Sequence, residues 1–182
     1  MNLILIRHAE SAPSKDINEC DWPLSPAGQK QASELISKLA ELKINKIISS
    51  PYPRAIHTVT PFAEKYCIDI TQNHDLRERE LSAGMIDNWL EELEKTWIDF
   101  DYKLPNGESS NECQARVFQA ITNSMIDVGD EVIAISSHGN AISLFLNKVD
   151  PKFNFDFWRN LQNPDVFGLK FTNETYEFIG RV

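Results

Sequence analysis

Three short stretches of the chain are apolar without alternation, and each runs straight into residues able to do chemistry. Leu3 to Ile6 lead into Arg7 and His8, "KIISSP" (46–51) leads to Arg54, and "EVIAISSH" (131–138) ends on His138. Unbroken apolar runs of this length, rich in β-branched residues, predict strands covered on both faces, as in a parallel sheet. Between the first two, Ala32, Leu35, Ile36, Leu39 and Leu42 recur at helical spacing, behind Ser25 as N-cap and Pro26 at the first helical position. A β-α-β unit results.

"PRAIHTVTPFAEKY" (53–66) predicts a second helix, with Pro61 placed to bend or break it. "SSNECQARVFQAITNSMIDV" (109–128) predicts a long helix capped by Ser109 or Ser110, with Val117, Ala120, Ile121 and Met125 along one stripe. The tail holds two short runs around Thr172-Asn173-Glu174-Thr175, an antiparallel hairpin on the sheet edge. Residues 85–106 are acidic and aromatic, helical early and then irregular up to Pro105; a cap or lid over a site and a plain surface helix are both open readings. The predicted fold is therefore α/β: a three-layer α/β/α sandwich with a mostly parallel central sheet, in one domain over 1–182.

Composition narrows the function. A chain of 182 residues that is 42% hydrophobic can bury one substantial core. Its formal charge of -9 and lack of any Lys/Arg-rich block argue against nucleic acid or an anionic membrane surface as partner. No apolar run approaches the ~20 residues of a membrane span, and the amino terminus is polar again by Arg7, so a cytoplasmic location is expected. Cys20, Cys67 and Cys113 are scattered and odd in number, as in a reduced compartment, and read as packing residues. Oligomeric state leaves no mark in the sequence.

In such sheets ligands bind beyond the carboxyl ends of the strands. That rule gathers Arg7, His8, Arg54 and His138 at one edge, an anion-attracting pocket in which arginine supplies the planar fork suited to phosphate oxygens. A unit charge pair at ~4 Å is worth about 4 kcal/mol at an effective dielectric of ~20, while surface charges beyond ~8 Å are largely screened, so local arginines outweigh the acidic surface.

In order along the chain, "LIRHAES", "DWPLSPAGQKQA", "SSPYPRAIHT", "LRERELSAG", "PNGES" and "SSHGNAI" resemble the histidine phosphatase superfamily, the group related to cofactor-dependent phosphoglycerate mutases. The resemblance implies a phosphatase in which His8 is the nucleophile and becomes phosphorylated, Arg7, Arg54 and His138 bind the phosphoryl oxygens, and Glu78 donates the proton. It implies a small phosphorylated substrate and no metal or other cofactor. Neutral imidazole is a good nucleophile near pH 7, and a cage of positive charge can stabilise phosphoryl transfer.

Two positions depart from the family pattern. Ala9 stands where glycine is usual, which costs roughly 1 kcal/mol if the site needs positive φ. Ser14 stands where an asparagine often reaches the phosphoryl group, and its hydroxyl has a shorter reach. Asn140 either orients the site or caps a helix. His57 reads as helix surface or pocket rim, and His74 with Asp75 lacks the companions of a metal site. Rival functions are a phosphoglycerate mutase, disfavoured by the compact region between Glu78 and His138, and a silent phosphate-binding or regulatory module. Substrate identity would be set by 85–106 and the aromatics near Trp22 and Tyr52.

Overall fold

The structure is a computed structural model that describes residues 1–84 and 86–182. Its sheet has six strands: β1 (Leu3–Arg7), β2 (Lys46–Ser49), β3 (Ile70–Gln72), β4 (Ile133–Ser137), β5 (Asp165–Thr172) and β6 (Thr175–Arg181). They lie in the order β3-β2-β4-β1-β5-β6; the first four are mutually parallel, and β5 and β6 run antiparallel. The central strands are apolar throughout because each is covered twice. In β1, Ile4 and Ile6 pack with Leu35 and Leu39 of α1 (Pro26–Ala40) and Val59 and Phe62 of α2 (Pro53–Tyr66). Leu3 and Leu5 face the opposite layer, with Trp97 of α3 (Trp89–Ile98), Val117 and Ile121 of α4 (Ser110–Ser124) and Phe145 of α5 (Gly139–Val149). The three-layer sandwich follows from that alternation.

Local chemistry sets the ends. Ser25 Oγ accepts from Gly28 N at 2.9 Å, with Pro26 at the first helical position of α1. Ser109 and Glu112 form a reciprocal capping box at α4. Asn173 and Glu174 take φ of 51° and 60°, the two positive-φ residues of a type I′ hairpin, between β5 and β6. Pro61 lies inside α2 without ending it. It removes only the donor that would meet the His57 carbonyl, and His57 is exposed, so water can take that role.

Three elements go unmarked in the hydrophobic pattern. β3 is a three-residue, largely exposed edge strand. α5 is apolar on nearly every side because it is buried on nearly every side. α6 (Phe155–Arg159) is a single turn begun by the Asn154 side chain. The cysteines correct the packing expectation in part: Cys113 is buried, but Cys20 is only half-buried, and Cys67 is exposed with φ 54° at the end of α2.

Of the segment 85–106, Met85 lies outside the described residues. α3 joins the core through Leu93 and Trp97, while Trp89 and Leu90 stay exposed and Trp89 meets Trp158 of α6 edge-on at 6.2 Å. No described helix is long and apolar enough to cross a membrane. Replacing Ser109→Ala removes the oxygen that accepts Glu112 N–H at 3.1 Å. This should cost about 1 kcal/mol, a fall of roughly 2–4 °C in Tm by circular dichroism.

Candidate active site

Parallel strands β2, β4 and β1 end together, and their last residues build the site. His8 follows β1. Three hydrogen bonds fix its backbone and that of its neighbour: His8 N to Ser137 O (3.0 Å), Asn163 Nδ2 to His8 O (2.8 Å) and Ala9 N to Thr58 Oγ1 (2.8 Å). Ala9 does not have positive φ, so the strain considered for alanine there is absent.

The ring is fixed as well. His8 Nδ1 donates to Ala9 O at 2.7 Å, which places the proton on Nδ1 and leaves the Nε2 lone pair free. Burial above all, then the charges of Arg54 and Arg7, lower its pKa to about 3, against a weaker opposing pull from the Ala9 carbonyl. At neutral pH the imidazole is therefore uncharged and nucleophilic.

His138 lies across from it, ring centroids 5.2 Å apart, fully buried. Its Nε2 is 2.7 Å from Ser50 Oγ. Ser50 Oγ accepts from Tyr52 N at 3.3 Å and has no other acceptor for its own proton among the described residues; with that proton given to Nε2, the ring proton lies on Nδ1. That Nδ1 is buried with no partner among the described residues, a donor awaiting an acceptor. Burial first, then Arg54 and His8, hold His138 well below its ordinary pKa.

Two guanidinium groups supply the charge. Arg7 Nη1 donates to the carbonyls of Leu161 (3.0 Å) and Gln162 (3.2 Å), and its Nε is buried and unpartnered among the described residues. Arg54, 2% exposed, lies over the Tyr52 ring at 5.0 Å and donates through Nη1 to Glu19 O at 2.5 Å. Burial lowers the pKa of both, yet arginine stays a cation. A Cβ at Gly139 would lie 3.2 Å from Trp158 Nε1 and 3.4 Å from Arg7 Nε, so a side chain there would press both by a few tenths of an ångström.

Glu78 is strapped across the start of α5. Its Oε1 accepts from Arg79 N (2.9 Å) and Ala141 N (3.0 Å), and Oε2 accepts from Asn140 N (3.1 Å). This helix N-terminus has no side-chain cap of its own, so the carboxylate fills that role beside His138.

Arg7, His8, Arg54, Glu78 and His138 thus converge as the sequence anticipates. Ser14 does not join them: its Oγ accepts from Asp16 N at 3.1 Å within its own loop. Asn140 is adjacent through its backbone, and its Oδ1 is buried and unpartnered among the described residues. His57 is exposed on α2, and His74 Nδ1 contacts Arg77 Nη1 at 3.3 Å. Among the described residues no three His, Cys, Asp or Glu side chains form a metal-binding group. Ser50, Thr58 and Asn163 are the positioning residues that sequence reasoning passed over. The first two lie inside the quoted "SSPYPRAIHT", but a hydroxyl in a motif does not disclose its partner.

The sequence pattern of the Histidine phosphatase superfamily (branch 1) matches residues 3–180. The probable phosphoglycerate mutase GpmB of Shigella dysenteriae is 29% identical over 163 residues, covering 82% of this chain and 74% of that protein. In fold, the chain is similar to Bacillus stearothermophilus YhfR, with a TM-score of 0.79, 20% identity and coverage of 98% and 95% of the two chains. It is also similar to a mycobacterial glucosyl-3-phosphoglycerate phosphatase, with a TM-score of 0.76, 19% identity and coverage of 98% and 96%.

The two histidines make stability depend on pH. Both are neutral when folded, whereas unfolded histidine titrates near 6.5, so below that pH the unfolded chain binds more protons. Stability should fall as pH drops from 6.5 toward 5, by up to about 1.4 kcal/mol per pH unit for each histidine. Urea unfolding of the parent and of His8→Asn should show a shallower dependence in the variant; equal slopes would contradict the burial of a neutral imidazole.

Proposed function

The chain belongs to the histidine phosphatase superfamily, and from that premise we propose that it hydrolyses phosphate monoesters of a small metabolite, without a metal ion, through a phosphohistidine on His8. The observation that carries this reading is the neutral His8 ring, with its Nε2 lone pair free, in a cup with two donors unpartnered among the described residues, Arg7 Nε and His138 Nδ1. Three phosphoryl oxygens need such donors, and the nucleophile needs that lone pair.

The reaction proceeds in two displacements. His8 Nε2 forms a bond to phosphorus as the ester P–O bond breaks, with Arg7, Arg54 and His138 Nδ1 on the phosphoryl oxygens. Glu78 protonates the departing alkoxide. Glu78 accepts from three amides in the free protein, two on Oε1 and one on Oε2, so a site on Oε2 is left for the proton it donates. The phosphate dianion favours that protonated form by repelling a second negative charge. The carboxylate then removes a proton from water, which attacks the phosphohistidine, and phosphate and neutral His8 are regained.

A mutase is the second reading, favoured by the name of the relatives at 29% identity. The two differ in the final acceptor of the phosphoryl group. With an aryl phosphate in chelator, phosphate release should be detectable, alkaline quenching, which preserves the acid-labile P–N bond, should trap a phosphohistidine, and His8→Ala should abolish both. Faster interconversion of 2- and 3-phosphoglycerate than phosphate release would establish the mutase instead.

Glu78→Gln should lower kcat/KM, which reads the first displacement alone, by about 10²–10⁴ for alkyl phosphates and far less for aryl phosphates, because a good leaving group needs no proton. Equal losses of kcat/KM for both esters would remove Glu78 as the acid.

A further inference from the structure

We propose, resting on the phosphatase reading, that Glu19 sets substrate choice: it admits phosphomonoesters whose phosphate is their only anionic group, favours an ammonium on the alcohol, and rejects a second carboxylate or phosphate. Glu19 opens the 3-10 turn Glu19–Asp21 between β1 and α1. Its backbone carbonyl holds Arg54 Nη1 at 2.5 Å, and its Oε1 lies 3.3 Å from Arg54 Nη2. The Arg54 side chain is 3% exposed and that of Glu19 is 58% exposed, so the carboxylate stands at the mouth, between solvent and the buried guanidinium. Because the carbonyl keeps hold of Arg54, the carboxylate can turn toward a substrate ammonium without releasing the arginine.

The charge inventory makes this a selective device. With His8 and His138 neutral, Arg7 and Arg54 bring two positive charges to the cup, matched by the two negative charges of a phosphate dianion. The neighbouring cations are committed elsewhere. Arg77 pairs with Asp75 (3.6 Å) and Glu108 (3.8 Å), and Arg116 grips both oxygens of Glu108 (2.5 and 2.6 Å). Arg79 is buried, with Nη1 on Thr96 and Ser110 and with Nε and Nη2 unpartnered among the described residues, so it presents no exposed cation. Lys15 and Arg159 are exposed. At the mouth, the negative charges of Glu78 and Glu80 act on Glu19 itself. A substrate's second anion therefore meets carboxylates with no free cation opposite, whereas an ammonium meets its complement.

Three esters of matched size isolate the effect: ethyl phosphate, 2-aminoethyl phosphate and phosphoglycolate. Calorimetric titration into the unreactive His8→Ala protein should give binding of phosphoglycolate about tenfold weaker than ethyl phosphate, and of 2-aminoethyl phosphate at least as tight. Glu19→Gln should close most of that gap, and high salt should narrow it. Should His8→Ala fail to fold, the same series serves as inhibitors of aryl phosphate hydrolysis by the parent and by Glu19→Gln. Equal binding of phosphoglycolate and ethyl phosphate, or a uniform change for all three esters in Glu19→Gln, would overturn the proposal. Charge discrimination in binding with no hydrolysis of any ester supports Glu19 and refutes the phosphatase reading. Hydrolysis without discrimination does the reverse.

Discussion

An imidazole kept uncharged between two buried guanidinium groups is the condition on which this site depends. Were His8 protonated, it would have no lone pair, and three cations would crowd one cup. Burial and the arginine charges both act against that state. The same burial makes the arginines costly to hold, and the protein offsets this with main-chain carbonyls: those of Leu161 and Gln162 on Arg7, and that of Glu19 on Arg54. These carbonyls orient the guanidinium groups without neutralising them, and the Glu19 carboxylate paired with Arg54 at 3.3 Å is exposed, so the positive field stays available to a ligand that displaces it.

Rigid supports make that field useful. His8 is gripped from β4, from α2 through Thr58 and from the 161–165 loop through Asn163, three parts of the chain that meet only when the sheet closes. His138 is set by Ser50 at the end of β2, which also hydrogen-bonds the backbone of Tyr52. Glu78 borrows the open end of α5, where unsatisfied amides need an acceptor. Each of these groups is thus positioned by an element other than its own.

The acidic surface and the cationic cup coexist because they act at different ranges. Surface carboxylates are screened over a Debye length, while Glu19 sits within hydrogen-bond reach of Arg54 and acts on whatever enters beside the phosphate. Opposite it, Trp158 Nε1 and the Arg7 guanidinium border Gly139, and Trp89 of α3 leans on Trp158. Trp89, exposed at the start of α3, therefore reaches the site region through Trp158, while the inner face of α3 belongs to the core.

Much of this is written locally. The apolar runs at 3–6 and 131–138, the caps at Ser25 and Ser109 and the hairpin turn at 173–174 depend on neighbours in sequence, so periodicity and turn chemistry disclose them. The rule for parallel sheets then brings Arg7, His8, Arg54 and His138 together from the sequence alone. What only the tertiary structure decided are relations between distant residues. No pattern marks the Ser50 hydroxyl on His138, Asn163 on the His8 carbonyl, Glu78 across the start of α5 or Glu19 at the mouth over Arg54, for each is a single polar contact between chain segments that folding alone makes adjacent. Ser14 and Cys67 show the reverse: position in the family pattern suggested a phosphate ligand and residue type a packing side chain, and the local backbone engages the Ser14 hydroxyl within its own loop and leaves Cys67 exposed. Strands are specified by repetition along the chain, whereas a hydrogen bond across the sheet depends on where two backbones come to rest.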